Sequence, residues 1–263
     1  MNYRPRVAHF LLSRANEVAN SLVVVWQPSH VDNGGAKGLM SLKALFTQLD
    51  EKVLNSKRTA LSSFSKFSIT IPDLIKDITP YNDLLKPVKE DDGIDLSNAV
   101  DLLEFSWQGD FVIFATKFKS LSFTTLAVLD LKSSHISIED TVALLHSCPD
   151  LRSASLGTIQ YEEDCEAVFL FKPCHMKQIA LPKLSRLTLE SNVALHPLIR
   201  RILWSTEVSL TLTLSKQATD KIHRLPLPWD LFSNIELNCH LTAQELFNLK
   251  KVFPAVKYYD TAT

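Results

Sequence analysis

The densest group of potential metal ligands in the sequence is Cys165 with the pair Cys174-His175, preceded by Glu162, Glu163 and Asp164. Thiolate, imidazole and carboxylate together are a zinc ligand set, and structural zinc sites commonly draw two ligands from cysteines only two to four residues apart. Here eight residues separate the cysteines, and Ala167-Val168-Phe169-Leu170-Phe171 between them reads as a buried strand. An insertion hairpin with ordinary thiols is therefore expected. A cysteine nucleophile needs a neighbouring base and an electropositive environment. His146 lies two residues before Cys148, a spacing that points the two side chains to different faces of a helix. No G-x-S-x-G elbow is present, and Asn33-Gly34-Gly35-Ala36-Lys37-Gly38 lacks the residue order of a phosphate loop. The acid groups Glu162-Glu163-Asp164 and Asp91-Asp92 do acid–base work only if their environments split their pKa values, and in loops they read as solvated. Six glycines in the whole chain leave little from which to build a backbone cradle. The expectation is a protein that is not an enzyme, with no catalytic residue, no metal and no cofactor.

Composition narrows the partners. A net charge of −1 and an isoelectric point near 6.7 supply no basic field for nucleic acid or an acidic membrane. The apolar share of 46% and charged share of 22% are those of a folded globular chain. Four cysteines, Cys148, Cys165, Cys174 and Cys239, do not make a disulfide framework at this length. The apolar run at 7–12 is interrupted by His9 and is too short for a secretory segment. No stretch approaches the roughly 20 apolar residues that span a bilayer. A cytoplasmic or nuclear location is expected, with no membrane and no nucleic acid among the partners.

What recurs is a frame, apolar-x-x-apolar-x-apolar. It reads Phe64-x-x-Phe67-x-Ile69, Leu102-x-x-Phe105-x-Trp107, Leu126-x-x-Leu129-x-Leu131 and Leu151-x-x-Ala154-x-Leu156. It continues as Leu184-x-x-Leu187-x-Leu189, Phe232-x-x-Ile235-x-Leu237 and Phe253-x-x-Val256-x-Tyr258. Weaker copies start at Ala19 (Leu22, Val24) and Ser205 (Val208, Leu210). From Phe64 onward the spacings are 38, 24, 25, 33, 21, 27 and 21 residues. Most lie in or near the roughly 20–29 residue period of leucine-rich repeats. The last three positions of each copy alternate as a strand with one buried face. Trp26, Trp107, Trp204 and Trp229 fall on apolar frames and read as core.

Between copies the period turns helical. Ser137 is placed to cap a helix carrying Val142, Leu144 and Leu145, which Pro149 stops just after Cys148. Leu195, Leu198, Ile199, Ile202 and Leu203 stand at helical spacing, and Thr242 with Glu245 makes a capping box ahead of Leu246, Phe247 and Leu249. Strand, turn, helix and turn form a unit too small to cover its own apolar face, so it must stack on neighbours. The predicted fold is α/β: a right-handed leucine-rich-repeat solenoid, or horseshoe, with irregular, degenerate repeats. A doubly wound α/β domain is the alternative. One domain spans 1–263, with 1–60 an N-terminal cap and 160–178 an insertion. Residues 27–38 read as a loop and 86–95 as a polar, solvated stretch.

On such a fold the residues between the frame positions line the concave sheet face. They are Glu104, Ser106 and Gln108; Asp130 and Lys132; Arg186, Thr188 and Glu190; Asn234, Glu236 and Asn238; and Lys257 with Tyr259. Both signs of charge mixed with hydrogen-bonding groups suit protein recognition. The expected function is a protein–protein interaction scaffold whose partner is another protein. A small α/β enzyme of unspecified reaction and a repeat remnant without function are the alternatives.

Three segments carry a more specific likeness: IEDTVALLHSCPDLRSASL at 138–156, LSRLTLE at 184–190 and FLLSRANEVANSLVVVW at 10–26. Together they resemble the leucine-rich-repeat region of fungal F-box proteins, where a helix ending in Cys-Pro-Asn/Asp-Leu leads into the next strand. The resemblance implies the substrate-recognition part of a ubiquitin-ligase receptor. The family's polar position three residues past the last strand leucine is filled by Asn192, but by Ser134, Ile159 and His240 elsewhere. No F-box precedes the repeats in this sequence. Leu227-Pro228-Trp229-Asp230-Leu231-Phe232 resembles an F-box opening, but the Phe232-Ile235-Leu237 frame claims the same residues. A cullin-RING ligase adaptor is thus a partner only if an F-box lies upstream.

Overall fold

The computed structural model describes residues 21–25, 65–70, 101–108, 123–132, 134, 136–160, 178–204, 207–215 and 231–261. In chain order the first elements are β1 (Ser21–Val25), β2 (Lys66–Thr70), β3 (Glu104–Gln108), β4 (Val128–Leu131), β5 (Ile136–Ser137), α1 (Ile138–His146) and β6 (Ser153–Gln160). There follow β7 (Ile179–Ala180), β8 (Arg186–Ser191), α2 (His196–Ile199), β9 (Ile202–Leu203), β10 (Val208–Leu214), β11 (Phe232–Asn238), α3 (Ala243–Val252) and β12 (Lys257–Tyr259). The main sheet runs β1-β2-β3-β4-β6-β8-β10-β11-β12, with β5 paired to β6, while β7 and β9 form a small second sheet. Every pairing among these strands is parallel. Over the described residues the protein is α/β, with a parallel sheet and few helices. Along the main path the strands follow chain order without the reversal that defines a doubly wound sheet, and the sheet does not close into a barrel.

Register turns the frame into apolar columns. Phe67, Phe105, Leu129, Ala154, Leu187, Leu210 and Ile235 lie side by side, all buried. Two residues on, Leu131, Leu156, Leu189, Leu212 and Leu237 make a second buried column. Each such leucine contributes roughly 1.5–3 kcal/mol by leaving water, and it does so only because a neighbouring strand stands on either side.

The entry into each strand repeats as well. The carbonyl of Ser65 accepts the N–H groups of Leu103 and Glu104; that of Leu103 accepts Ala127 and Val128. In the same way Ala127 accepts Arg152 and Ser153, and Arg152 accepts Ser185 and Arg186. A turn precedes several of these strands: the N–H groups of Leu126, Leu151 and Leu184 donate to Phe123, Cys148 and Leu181, each at 3.2 Å. Pro149 and Pro182 hold the second position of their turns, where a fixed φ suits the bend. Asp150 and Lys183, both third in their turns, meet across the stack at 2.8 Å. The Cys-Pro-Asp-Leu junction therefore has a structural twin in Leu181-Pro182-Lys183-Leu184.

The helices follow their caps. Ser137 Oγ accepts the Asp140 N–H at 3.0 Å and opens α1, which packs its buried Leu144 and Leu145 on the sheet side. Thr242 and Glu245 form the expected reciprocal capping box of α3. Elsewhere expectation and structure part. The frame copy placed at Val208 and Leu210 belongs two residues later, at Leu210 and Leu212, as the pairing with Leu187 and Leu189 shows. The strand alternates over its whole length, so the apolar face was legible but its phase along the strand was not. The helix expected through 195–203 is only the four residues of α2. Ile202 and Leu203 are instead extended, paired with β7, and Leu203 is 45% exposed. Backbone pairing in the small sheet outweighs the helical spacing of the apolar residues. Asn192 is exposed, and its neighbour Ser191 is the buried polar residue, with Oγ 3.2 Å from the Ile159 carbonyl and 2.8 Å from that of Val193. Apart from β1 the expected cap at 1–60 lies outside the described residues, as do 86–95, 161–177, Trp26 and Trp229.

Candidate polar face of the sheet

The side chains between the frame positions emerge on the face opposite the core. Strand alternation makes this unavoidable: β3 reads half-buried, buried, half-buried, buried, exposed, and β10 alternates across all seven residues. All thirteen residues expected on this face are half-buried or exposed there: Glu104, Ser106, Gln108, Asp130, Lys132, Arg186, Thr188, Glu190, Asn234, Glu236, Asn238, Lys257 and Tyr259. Register brings them into rows. One row runs Lys66, Glu104, Val128, Ser153, Arg186, Ser209, Asn234. The next runs Ser68, Ser106, Asp130, Ser155, Thr188, Thr211, Glu236, Lys257.

These rows include residues that the sequence reading passed over. Ser153, Ser155 and Thr158 of β6, and Ser209, Thr211 and Thr213 of β10, fill the centre of the face, and Lys66, Ser68 and Thr70 extend it across β2. Their signal was the two-residue alternation itself, Ser-Leu-Thr-Leu-Thr-Leu in β10 being the clearest.

Many of the charged groups have partners on the face. Lys66 and Glu104 pair at 2.7 Å near one end, and Lys257 and Glu236 at 3.0 Å near the other. Asn234 adds a bond to Glu236 at 3.3 Å, Thr158 donates to Glu190 at 3.1 Å, and Asn238 donates to Thr213 at 3.2 Å. The hydrogen bond from Lys257, then that from Asn234, hold the Glu236 carboxyl below the usual carboxylate range. The same contact raises the Lys257 ammonium above its ordinary value. At such exposure the pairs add little stability and serve to fix side-chain positions. The middle of the face is a hydroxyl-rich strip between two ion pairs.

The two described cysteines are both buried, and His240 Nδ1 lies 3.2 Å from Asp260 Oδ1. Burial pushes the Cys148 thiol up to about 12. Burial, then the carboxylates of Asp260 and Glu245, push Cys239 up to about 11. Both therefore stay protonated at neutral pH, the reverse of a nucleophile. No group of three or more His, Cys, Asp or Glu among the described residues could hold a metal ion. Cys165, Cys174, His175, Glu162, Glu163 and Asp164 lie outside the described residues, as do Asn33 to Gly38 and Asp91-Asp92. Among the described residues no helix is long and apolar enough to cross a membrane. No protein-family model, no curated protein and no solved structure matches this chain.

Proposed function

We propose that the chain is a leucine-rich-repeat solenoid that serves as a cytoplasmic or nuclear protein-binding scaffold, with the polar sheet face as its binding surface. The observation that carries this is the register: successive copies of one frame pair in parallel and in chain order, so that their intervening residues form continuous rows of hydrogen-bonding side chains. The repeated carbonyl that accepts two successive N–H groups at each strand entry supports a unit that recurs rather than a sheet that happens to be parallel. In a solenoid the bulk of the helical side bends the sheet inward, and the rows become the concave surface. Hydroxyls and amides interleaved with fixed ion pairs suit a protein surface of mixed polarity.

A photo-crosslinking side chain placed at Thr188 should capture a defined protein, and one at Gln244 on α3 should not. A bulky Thr211→Trp change should abolish that capture. Charge reversal of Arg186 tests the same surface more cleanly than reversal of Glu236, which also breaks the Lys257 pair. Equal capture from Thr188 and Gln244, or capture that survives Thr211→Trp, removes the face from the function.

The likeness to fungal F-box proteins extends the proposal to a substrate receptor of a cullin-RING ligase. That extension depends on an F-box upstream of the repeats. The full transcript product should then co-purify with the ligase adaptor; a product that carries no F-box and binds no adaptor leaves a free-standing scaffold.

A further inference from the structure

Among the charges near the polar face, Arg152, Arg186 and Lys132 have no ion pair among the described residues. Arg152 and Arg186 stand at adjacent strands, Arg152 one residue before Ser153, the register partner of Arg186. Arg152 and Arg186 are both exposed, at the strand-entry rim of β6 and β8. Their backbones are directly joined, the Arg186 N–H donating to the Arg152 carbonyl at 3.1 Å. Among the described residues neither guanidinium has an ion pair or a side-chain hydrogen bond. Ser153 and Ser209 flank Arg186 in register and add hydroxyl donors. The carboxylates around them are mostly occupied: Glu104 and Glu236 by lysines, Glu190 by Thr158, Asp130 by the Lys132 N–H. Glu207, at the start of the next strand, is exposed and pairs with neither arginine.

We infer that this rim receives an acidic segment of the partner protein, whose Asp or Glu side chains are gripped by Arg152 and Arg186 while neutral residues of the same segment cross the hydroxyl rows. The inference rests on the face being the binding surface. A guanidinium fork matches a carboxylate with two parallel hydrogen bonds. Strands about 4.8 Å apart bring two forks within reach of one short segment. A nucleic acid fits worse, because a polyanion laid along the face meets Asp130, Glu190, Glu104 and Glu236 as well as the arginines.

Fluorescence anisotropy on the full chain provides the test, with labelled peptides that alternate Glu and Ser, Gln and Ser, or Lys and Ser. The glutamate peptide should bind and the glutamine peptide should not. Arg152→Glu and Arg186→Glu should each weaken the glutamate peptide by about tenfold, the scale of one lost charge-assisted contact. The double reversal should instead bind the lysine peptide, a gain that an unfolded variant cannot produce. Unchanged glutamate binding in the double reversal, equal binding of the glutamine peptide, or tighter binding of a single-stranded oligonucleotide of equal charge overturns the inference. Partner capture lost in Thr211→Trp but intact in the double reversal overturns only the acidic segment. Capture intact in both removes the face itself.

Discussion

Gly157 lies so close to Ser134 that no β-carbon fits between them. A methyl group at Gly157 would meet the Ser134 carbonyl, and would stand 2.6 Å from the Leu131 carbonyl and 2.7 Å from the Ser134 nitrogen. All three atoms belong to backbone held in a turn by the bond from Ser134 N–H to Leu131 carbonyl at 2.9 Å. Gly157 is also where the register of β6 against β8 slips, which keeps Thr158 outward on Glu190 and Ile159 inward on Ser191. Gly157→Ala should therefore destabilise the fold by about 1–3 kcal/mol, the scale of overpacking. Denaturant unfolding measures it, with Ser155→Ala on the open face as the control. Equal midpoints for the two variants would falsify the close approach.

Ser134 itself offers the opposite outcome. Its hydroxyl is buried and, among the described residues, has no hydrogen-bond partner. Removing an unsatisfied buried group relieves a desolvation penalty of about 1–3 kcal/mol, offset by lost packing. Ser134→Ala should leave stability unchanged or raise it by up to about 1 kcal/mol. A clear drop in melting temperature would mean the hydroxyl is bonded in solution.

The two helix caps should differ in weight. Ser137 is buried, accepts the Asp140 N–H with its Oγ, and accepts the Thr141 hydroxyl with its carbonyl at 2.8 Å. Thr242 does comparable work in an exposed capping box at the far end of the sheet, where water substitutes for a lost bond. Thr242→Ala should cost about 1 kcal/mol. Ser137→Ala should cost more, towards about 2 kcal/mol, because it orphans a buried N–H. Unfolding curves that rank the two the other way round would contradict this picture of α1.

What was legible in the sequence was the face of each strand and the start of each helix. Period-two alternation in β3, β4 and β8 and the caps at Ser137 and Thr242 depend on neighbours in the chain, and they survive folding unchanged. What was not legible depends on other strands. The two-residue phase of β10 is set by pairing with β8, since Val208, Leu210 and Leu212 are interchangeable to a local reading. The extended pair Ile202–Leu203 exists because Ile179 and Ala180 lie beside it, with the Ile179 N–H on the Arg201 carbonyl at 2.7 Å. The need for glycine at 157 arises from a turn more than twenty residues earlier in the chain. On the face, the hydroxyls of β6 and β10 carry the same two-residue alternation as the charges of β3, β8 and β11, but their place between those charges is set by register.

The buried thiols should be silent in the native protein. Cys148 and Cys239 are fully buried, and their raised pKa values keep them in the unreactive thiol form. Iodoacetamide at pH 8 should leave the peptides carrying them unlabelled, and denaturant should expose both. Peptide mapping by mass spectrometry separates them from Cys165 and Cys174. Rapid native labelling of Cys148 would place it at a surface and reopen a nucleophilic role.

The Glu236–Lys257 pair sets a pH window on the last strand. Glu236 titrates below its usual value in the folded protein, so its contribution is complete above the ordinary carboxylate pKa and is lost as pH falls through the lowered folded value. Lys257 titrates above its usual value, so its contribution is complete below the ordinary ammonium pKa and is lost as pH rises through the raised one. Between those limits the pair adds a side-chain tie to the backbone pairing of β12 with β11, which includes the bond from Cys239 N–H to Tyr259 carbonyl at 3.2 Å. Hydrogen exchange, corrected for intrinsic rates, should show β12 protection slightly greater near neutrality than at either extreme, a small effect as befits an exposed pair, with β8 and β10 unaffected. Lys257→Met should lower protection at neutral pH and flatten the profile. The same profile in both proteins would show that the strand is held by its backbone and by Tyr258, whose hydroxyl accepts the Leu241 N–H at 3.0 Å, and that the ion pair only orders the surface.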